Sequence, residues 1–305
     1  MTNFFEKMMF SPRWYHYFII VLFFPLSVIY GTLMFVRRLI TQKKDFDIPI
    51  VSVGNLIVGG SGKTPFVIAL ASRYQEVTVI SRGYGRQSKG LIEVSRKGEI
   101  LTTVEQSGDE PMLMAKSLAN ASVIVSEDRH KAIELAKKQG AKLIILDDGF
   151  NRVEIKKFEI LLEPEFIKNY LPFPAGAFRE FWFSKKYADI VAKEGEIFVR
   201  KVSFEDLTER MILVTAISNP VRLDKYLPDN IIKKIYLEDH AYFDELMLKN
   251  VLDDNNATSL LCTSKDRVKM SGFKLAISEM KLKLEIKDEI FIKINKYIEN
   301  INKSK

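Results

Sequence analysis

The chain has 305 residues, 28% charged and 47% hydrophobic, with a formal net charge of +7. That size and balance allow a buried core and exclude a disordered chain, and no internal repeat points to a solenoid. The positive charge calls for an anionic partner; without a zinc-finger, basic-zipper or RNA-platform signature, nucleic acid is not expected to be that partner.

At the N-terminus no charged residue intervenes between Arg13 and Arg37, and the stretch Tyr17 to Val36 is long and apolar enough to cross a bilayer. Arg37, Arg38, Lys43 and Lys44 follow where a cleavage site would belong, so the segment is expected to be retained. These cations outnumber Lys7 and Arg13 on the other flank, which places the main body in the cytoplasm. Pro25 and Gly31 leave two arrangements open, a spanning helix or a bent helix in one leaflet. The bland alternative, a buried core helix, is disfavoured because such helices seldom lack a polar face for so long.

The body alternates short β-branched runs with helical spacing. Strands are predicted at 49–53, 77–80, 122–125, 142–146 and 158–162, with helices at 66–74, 110–119 and 129–139 between them. Alternation at this pitch implies α/β architecture, a parallel sheet covered by helices. The proline- and glycine-rich stretch 171–177 marks a connection. Beyond it, strands at 211–216, 234–237, 259–263 and 281–286 and helices at 242–252 and 288–301 suggest a smaller α/β lobe. The lone cysteine, Cys262, excludes an internal disulfide and a thiolate zinc site and reads as core packing. The expected organisation is therefore an anchor helix with basic flank over 1–44, a core over 45–206 and a C-terminal lobe over 207–305.

Gly59-Gly60-Ser61-Gly62-Lys63-Thr64 lies between the first strand and the first helix of this body, the context of a phosphate-binding loop. In such a P-loop the glycines let backbone N–H groups converge on phosphate oxygens, Lys63 reaches the β- and γ-phosphates and the Thr64 hydroxyl ligates Mg²⁺. Ile57 stands where the strict pattern has glycine, so the loop is a variant. Asp147 and Asp148 end a hydrophobic strand about eighty residues later, where a nucleotide site places acids that hold or orient Mg²⁺. Transfer to a hydroxyl also needs a group that orients the nucleophile and takes its proton. Asp109, Glu110 and His240 are the candidates, against bland readings of helix cap and surface residue.

Taken together, these residues resemble the tetraacyldisaccharide 4'-kinase family across nearly the whole chain. The resemblance rests on Val53-Gly54-Asn55-Leu56 with the P-loop through Pro65, Ser81-Arg82-Gly83-Tyr84, Gly108-Asp109-Glu110-Pro111 and Ser126-Glu127-Asp128-Arg129. It continues through Asp147-Asp148-Gly149-Phe150, Pro174-Ala175-Gly176 with Arg179-Glu180, Asp239-His240 and Thr263-Ser264-Lys265-Asp266. It implies a P-loop core that uses ATP and Mg²⁺ to phosphorylate the 4'-hydroxyl of a lipid A disaccharide 1-phosphate precursor. It further implies residence on the cytoplasmic face of the bacterial inner membrane, with membrane lipid as a partner and no obligate protein partner. Asp109 and His240 would form a catalytic dyad on different lobes, Glu180 would join Asp147 and Asp148 at Mg²⁺, and Asn55, Arg82, Tyr84, Glu110, Arg129 and Arg179 would face substrate. Asn151-Arg152 stands where Gln-His is usual, and Phe181 where proline is usual. The rival reading is a membrane-tethered P-loop GTPase or ATPase switch; Thr263-Ser264-Lys265-Asp266 lacks the residue a guanine-reading motif has between Lys and Asp.

Overall fold

The computed structural model describes residues 2–58, 62–164, 167–218 and 220–303. Helices α1 (Thr2–Phe10) and α2 (His16–Ile40) precede β1 (Ile50–Gly54), α3 (Lys63–Ala71) and β2 (Val77–Ser81). Next come β3 (Ile92–Arg96), β4 (Glu99–Ile100), α4 (Val104–Ser107), α5 (Asp109–Ser117), β5 (Ser122–Val125), α6 (Arg129–Lys138), β6 (Leu143–Asp147) and β7 (Phe158–Leu162). The remainder is β8 (Ile190–Ala192), β9 (Phe198–Glu205), β10 (Met211–Thr215), β11 (Ile231–Tyr236), α7 (Glu245–Asp254), β12 (Ser259–Thr263), α8 (Ser264–Arg267), β13 (Ile277–Ile286) and α9 (Asp288–Lys303).

Two compact units are assembled from separated pieces of chain: Met1–Lys63, Lys142–Val199 and Ile286–Lys305 form the first, Thr64–Ala141 and Arg200–Glu285 the second. Neither coincides with the expected segments 45–206 and 207–305. The reason is that the chain leaves the first unit after Lys63, re-enters it with β6 and returns to it once more at the end. Helix α9 belongs there because the Tyr297 hydroxyl accepts from the Ile50 amide at 3.4 Å and its ring lies 5.4 Å from that of Phe158.

In the first unit β6, β1, β7 and β8 run side by side and parallel. Val53 is in register with Asp147, and Val51 with Phe158. Both β1 and β6 are buried at every residue, the unbroken apolar pattern of a parallel strand covered on both faces. Their C-terminal ends deliver Gly54 and Asp147 to the same edge, where open α/β sheets bind ligands. Gly54 is required there by close approach: a Cβ would sit 2.6 Å from that of Phe150 and 2.8 Å from the Phe150 nitrogen.

The second unit holds β2 paired parallel with β5, extended by antiparallel β3 and β4, together with a five-stranded sheet in the order β11-β10-β12-β13-β9. The hairpin between β3 and β4 turns on Lys97 and Gly98, both with positive φ, the twist that matches flanking strands. Ile212, Val214, Leu248, Leu252, Leu260, Cys262 and Met270 form one apolar cluster. Cys262 is fully buried, as expected, and burial pushes its thiol well up from the ordinary value.

Helix α2 runs unbroken through Pro25. His16, Ile20, Ser27 and Gly31 are buried on it, and at 100° per residue all four fall on one narrow face. The Ser27 hydroxyl accepts from the Ala175 amide at 2.8 Å, and the absent side chain of Gly31 admits Phe181 and Pro172, which a Cβ would meet at 2.8 and 2.9 Å. The opposite face stays exposed: Phe18 is 77% accessible, Val21 70% and Leu22 71%. It is therefore not a core helix, and it is long and apolar enough to cross a membrane.

Candidate active site

Two groups of functional side chains are built, one in each unit. In the first unit, β1 delivers Asn55 and the chain reaches Lys63, which opens α3. The Lys63 ammonium donates to Asn55 Oδ1 at 3.3 Å and lies 3.4 Å from Asp148 Oδ1. Asp148 Oδ2 accepts from Arg179 Nη1 at 2.8 Å. Asp148 holds a left-handed φ of 52°, a turn pinned to β1 where the Gly149 amide donates to the Val53 carbonyl at 3.3 Å. Burial pushes its carboxyl up, but Lys63 and Arg179 outweigh that and hold it below the ordinary carboxylate range. Asp147, in register on β6, is buried. Gly62 has a positive φ of 72°; Thr64, buried, and Pro65, in the first turn of α3 where its missing N–H costs nothing, begin the second unit. Gly59, Gly60 and Ser61 lie outside the described residues.

Segment 177–179 runs beside the approach to the loop, with Val58 bonded to the Ala177 carbonyl at 2.9 Å and Arg179 to that of Leu56 at 2.7 Å. Glu180 turns away from this arrangement. It is 3% exposed, and its carboxylate takes a bidentate pair from Arg38 at 2.6 and 2.7 Å. The structure thus commits both oxygens of an expected Mg²⁺ ligand to a guanidinium.

In the second unit Gly108, with φ 89°, starts α5 and presents Asp109 inward. His240 Nδ1 meets Asp109 Oδ2 at 2.9 Å and Oδ1 at 3.1 Å. The two side chains, expected on different lobes, meet inside one compact unit. His240 is held in a left-handed φ of 64°, its amide donating to the Ala216 carbonyl at 3.1 Å. Fully buried Asp266 secures that segment, accepting from the Ala216 amide at 3.0 Å and from the Thr215 and Thr263 hydroxyls at 2.7 Å. Two lysines not singled out beforehand face Asp109: Lys265 at 3.6 Å and Lys269 at 3.4 Å. Lys265 was visible as part of Thr263-Ser264-Lys265-Asp266; Lys269 carried no signal.

Desolvation pushes the Asp109 carboxyl up, yet the hydrogen bond from His240 and the charges of Lys265 and Lys269 bring it down to about 2. Lys265 is half-buried; desolvation lowers its ammonium, but Glu110, Asp109 and Asp239 outweigh that and hold it above the ordinary lysine value. Tyr84, 71% exposed, places its ring 5.3 Å from that of His240, and Tyr84, Asp109, His240, Tyr242 and Lys269 line a small pocket. Among the other expected substrate contacts, Arg82 is exposed and Glu110 half-buried. Arg129 is 3% exposed, and its Nη1 donates to the carbonyls of Ser81, at the end of β2, and Ser126, just beyond β5.

A family model described as tetraacyldisaccharide-1-P 4'-kinase matches residues 19–299. The chain belongs to this family. It is 47% identical to the tetraacyldisaccharide 4'-kinase of Helicobacter pylori strain HPAG1, over 97% of this chain and 95% of that protein. Tetraacyldisaccharide 4'-kinases of Aliarcobacter butzleri and Campylobacter jejuni are 44% and 41% identical, each over 96% of this chain. The crystal structure of LpxK from Aquifex aeolicus in complex with ATP has a TM-score of 0.74 and 28% identity, covering 92% of this chain and 99% of that one. As a tetraacyldisaccharide 4'-kinase family member the chain is a phosphotransferase, and the switch reading falls away.

Asp109 carries a depressed carboxyl, so its stabilising contribution is complete above the unfolded value near 4 and is lost as pH falls through about 2. Asp109→Asn is expected to cost about 2 kcal/mol at pH 7. In urea titrations the gap between the variant and the parent should close as pH approaches 2. A gap independent of pH would mean that the cations do not hold Asp109 charged.

Proposed function

We propose that this chain transfers the γ-phosphoryl group of ATP to the 4'-hydroxyl of a lipid A disaccharide 1-phosphate precursor. The observation that carries the reading is the pair of Lys63 with Asp148 beside Asn55 and Arg179 at the C-terminal edge of β1 and β6. The residues fit a nucleotide and its metal: a cation to lie along phosphates, a threonine hydroxyl after it, and acids at the next strand end. Asp147 and Asp148 would hold Mg²⁺, which neutralises phosphate charge and needs only one or two carboxylates; Glu180 supports that pair through Arg38.

Phosphoryl transfer through a loose transition state demands positioning and charge stabilisation more than covalent chemistry. Lys63 supplies positive charge that grows in value as negative charge moves onto the leaving oxygen. Asp109 is ionised throughout the physiological range and accepts a hydrogen bond from the sugar hydroxyl, directing its lone pair at phosphorus. A carboxylate brought down to about 2 is a weak base, so the hydroxyl proton moves to it late, once the new O–P bond has made that proton acidic. His240 fixes the orientation of the carboxylate. Tyr84, Arg82 and Glu110 stand on the same unit to meet sugar and phosphate.

Incubation of the purified chain with γ-labelled ATP, Mg²⁺ and a lipid A disaccharide 1-phosphate tests the reaction and substrate class together. Label in the lipid is expected, and Lys63→Ala should lower turnover by on the order of 10²–10³-fold while leaving the thermal transition in place. Label released only as free phosphate would reject the lipid acceptor.

For the dyad, Asp109→Ala and His240→Ala should each reduce kcat with little change in ATP affinity. The double variant should be barely slower than the worse single one, since residues acting as a unit lose activity non-additively. Multiplicative losses in the cycle would assign them independent roles.

The same reading places the chain on the cytoplasmic face of the inner membrane, with α2 lying in one leaflet. Support comes from the narrow buried face of α2, which ties it to the first unit from His16 to Gly31, and from the apolar face opposite. Phe173, Trp182 and Phe183 are also exposed, with Lys185 and Lys186 adjoining. Replacing Phe18 and Leu22 by Asp should release the chain from anionic vesicles in sedimentation without unfolding it. Undiminished sedimentation would assign membrane binding elsewhere.

A further inference from the structure

The acids of the first unit are followed by a turn whose three successive carbonyls are each taken by a cation. Arg38 Nη2 donates to the Phe150 carbonyl at 3.1 Å, Arg37 Nη2 to that of Asn151, and Lys157 Nζ to that of Arg152 at 2.5 Å. Two of the three come from the last turn of α2. Arg38 also holds Glu180 through two hydrogen bonds, and Glu180 adjoins Arg179, the partner of Asp148. Its guanidinium lies 4.4 Å from the centre of the Phe150 ring and 5.5 Å from that of Tyr187. Arg38 and Glu180 expose only 7% and 4% of their side chains, so the pair is withdrawn from solvent and held on every side.

We propose that Arg38 is a positioning residue for phosphoryl transfer, through which the end of the membrane helix sets the geometry of the Asp147-Asp148 turn and of Arg179. Glu180 acts in the same device, as the carboxylate that orients Arg38. The physical basis is the planar fork of arginine. It spends one edge on a carboxylate in bidentate fashion and has a further N–H for the Phe150 carbonyl, a combination that a lysine ammonium cannot reproduce in one plane. Removing the guanidinium leaves the Glu180 carboxylate buried and unpaired, and the Phe150 carbonyl without its donor. The turn bearing Asp148 is then free to shift, and a displacement of about 1 Å at a positioning group is costly to a reaction that depends on alignment. Seating of α2 thereby reaches the acids without touching them. This inference rests on the kinase reading for its kinetic consequence alone; the structural linkage stands apart from it.

The test uses the full chain in detergent micelles and on anionic vesicles, comparing the parent with Arg38→Met, Arg38→Lys and Glu180→Gln. Backbone hydrogen exchange is read at Gly149 and Arg152, whose amides donate to the Val53 and Gly149 carbonyls in the native turn. Arg38→Met is expected to speed exchange at these two amides at least tenfold while the β10 and β12 amides keep parental rates. It should also raise the Mg²⁺ concentration for half-maximal labelling and the KM for ATP several-fold, with vesicle sedimentation unchanged. Arg38→Lys, which keeps the charge and loses the fork, should fall between the two, and Glu180→Gln should reproduce Arg38→Met in direction. Should Arg38→Met be too unstable to purify, Arg38→Lys alone decides, by faster exchange at Gly149 and Arg152 with the rest of the first unit protected. Parental exchange at both amides in a folded Arg38 variant overturns the proposal. So does a rise in Mg²⁺ requirement confined to Glu180→Gln, which would make Glu180 a direct ligand. If the parent fails to label lipid, the kinase reading is lost while the exchange measurement still judges Arg38.

Discussion

A carboxylate withdrawn from water stays ionised only where cations or hydrogen-bond donors replace the lost solvation. The candidate site meets that constraint fully at buried Asp109 and in part at half-buried Asp148. In the second unit Asp109 is nearly buried, and His240, Lys265 and Lys269 converge on it from segments more than a hundred residues away. In the first, Asp148 is met by Lys63 from one side and Arg179 from the other. Each acid is held by groups that only the folded chain assembles, so its carboxyl falls below the ordinary range only where the fold around it is correct.

The backbone serves the same end. Parallel strands place their C-terminal ends on one edge, and the register of Val53 with Asp147 puts the entrance to the phosphate loop and the paired acids side by side. Asp148 and His240 both accept left-handed backbone that costs a non-glycine residue about 1 kcal/mol or more. Both positions are tied down by neighbours, Asp148 through Gly149 and His240 through Ala216 and buried Asp266. At both candidate site residues the strained backbone is thus braced by hydrogen bonds.

Helix α2 joins the membrane problem to the catalytic one. One narrow face is packed against the first unit through a hydroxyl, a glycine and an arginine, three side chains that an apolar membrane span has no need of. The wider face presents the apolar residues that a lipid acceptor's surroundings would receive. A kinase whose acceptor is a lipid has to work where that lipid lies, and under the proposed localisation a helix braced along its length against the body would keep the body at that surface.

Local information was sufficient for much of this. The strands at 77–80, 122–125, 158–162 and 259–263 were legible because short apolar runs bounded by turn residues need no tertiary context; the candidate chemistry of Lys63 and Thr64 followed from a glycine-rich loop that opens a helix, and that of Asp147 and Asp148 from the end of a hydrophobic strand. The hairpin of β3 and β4 was not, since a two-residue strand carries no period. Nor was the division into units, because the return of α9 to Ile50 is a contact between residues 247 positions apart. The sequence alone determined the alternation of strand and helix that makes the α/β core, the family and the side chains available for chemistry, all of which are encoded in neighbouring residues and their spacing. Only the tertiary structure decided that Asp109 and His240 share one unit, that Lys269 stands beside them, that Arg129 donates to the Ser81 and Ser126 carbonyls and that Glu180 is held by Arg38. Which distant charges neutralise one another when buried is a property of three-dimensional proximity, and spacing along the chain does not carry it.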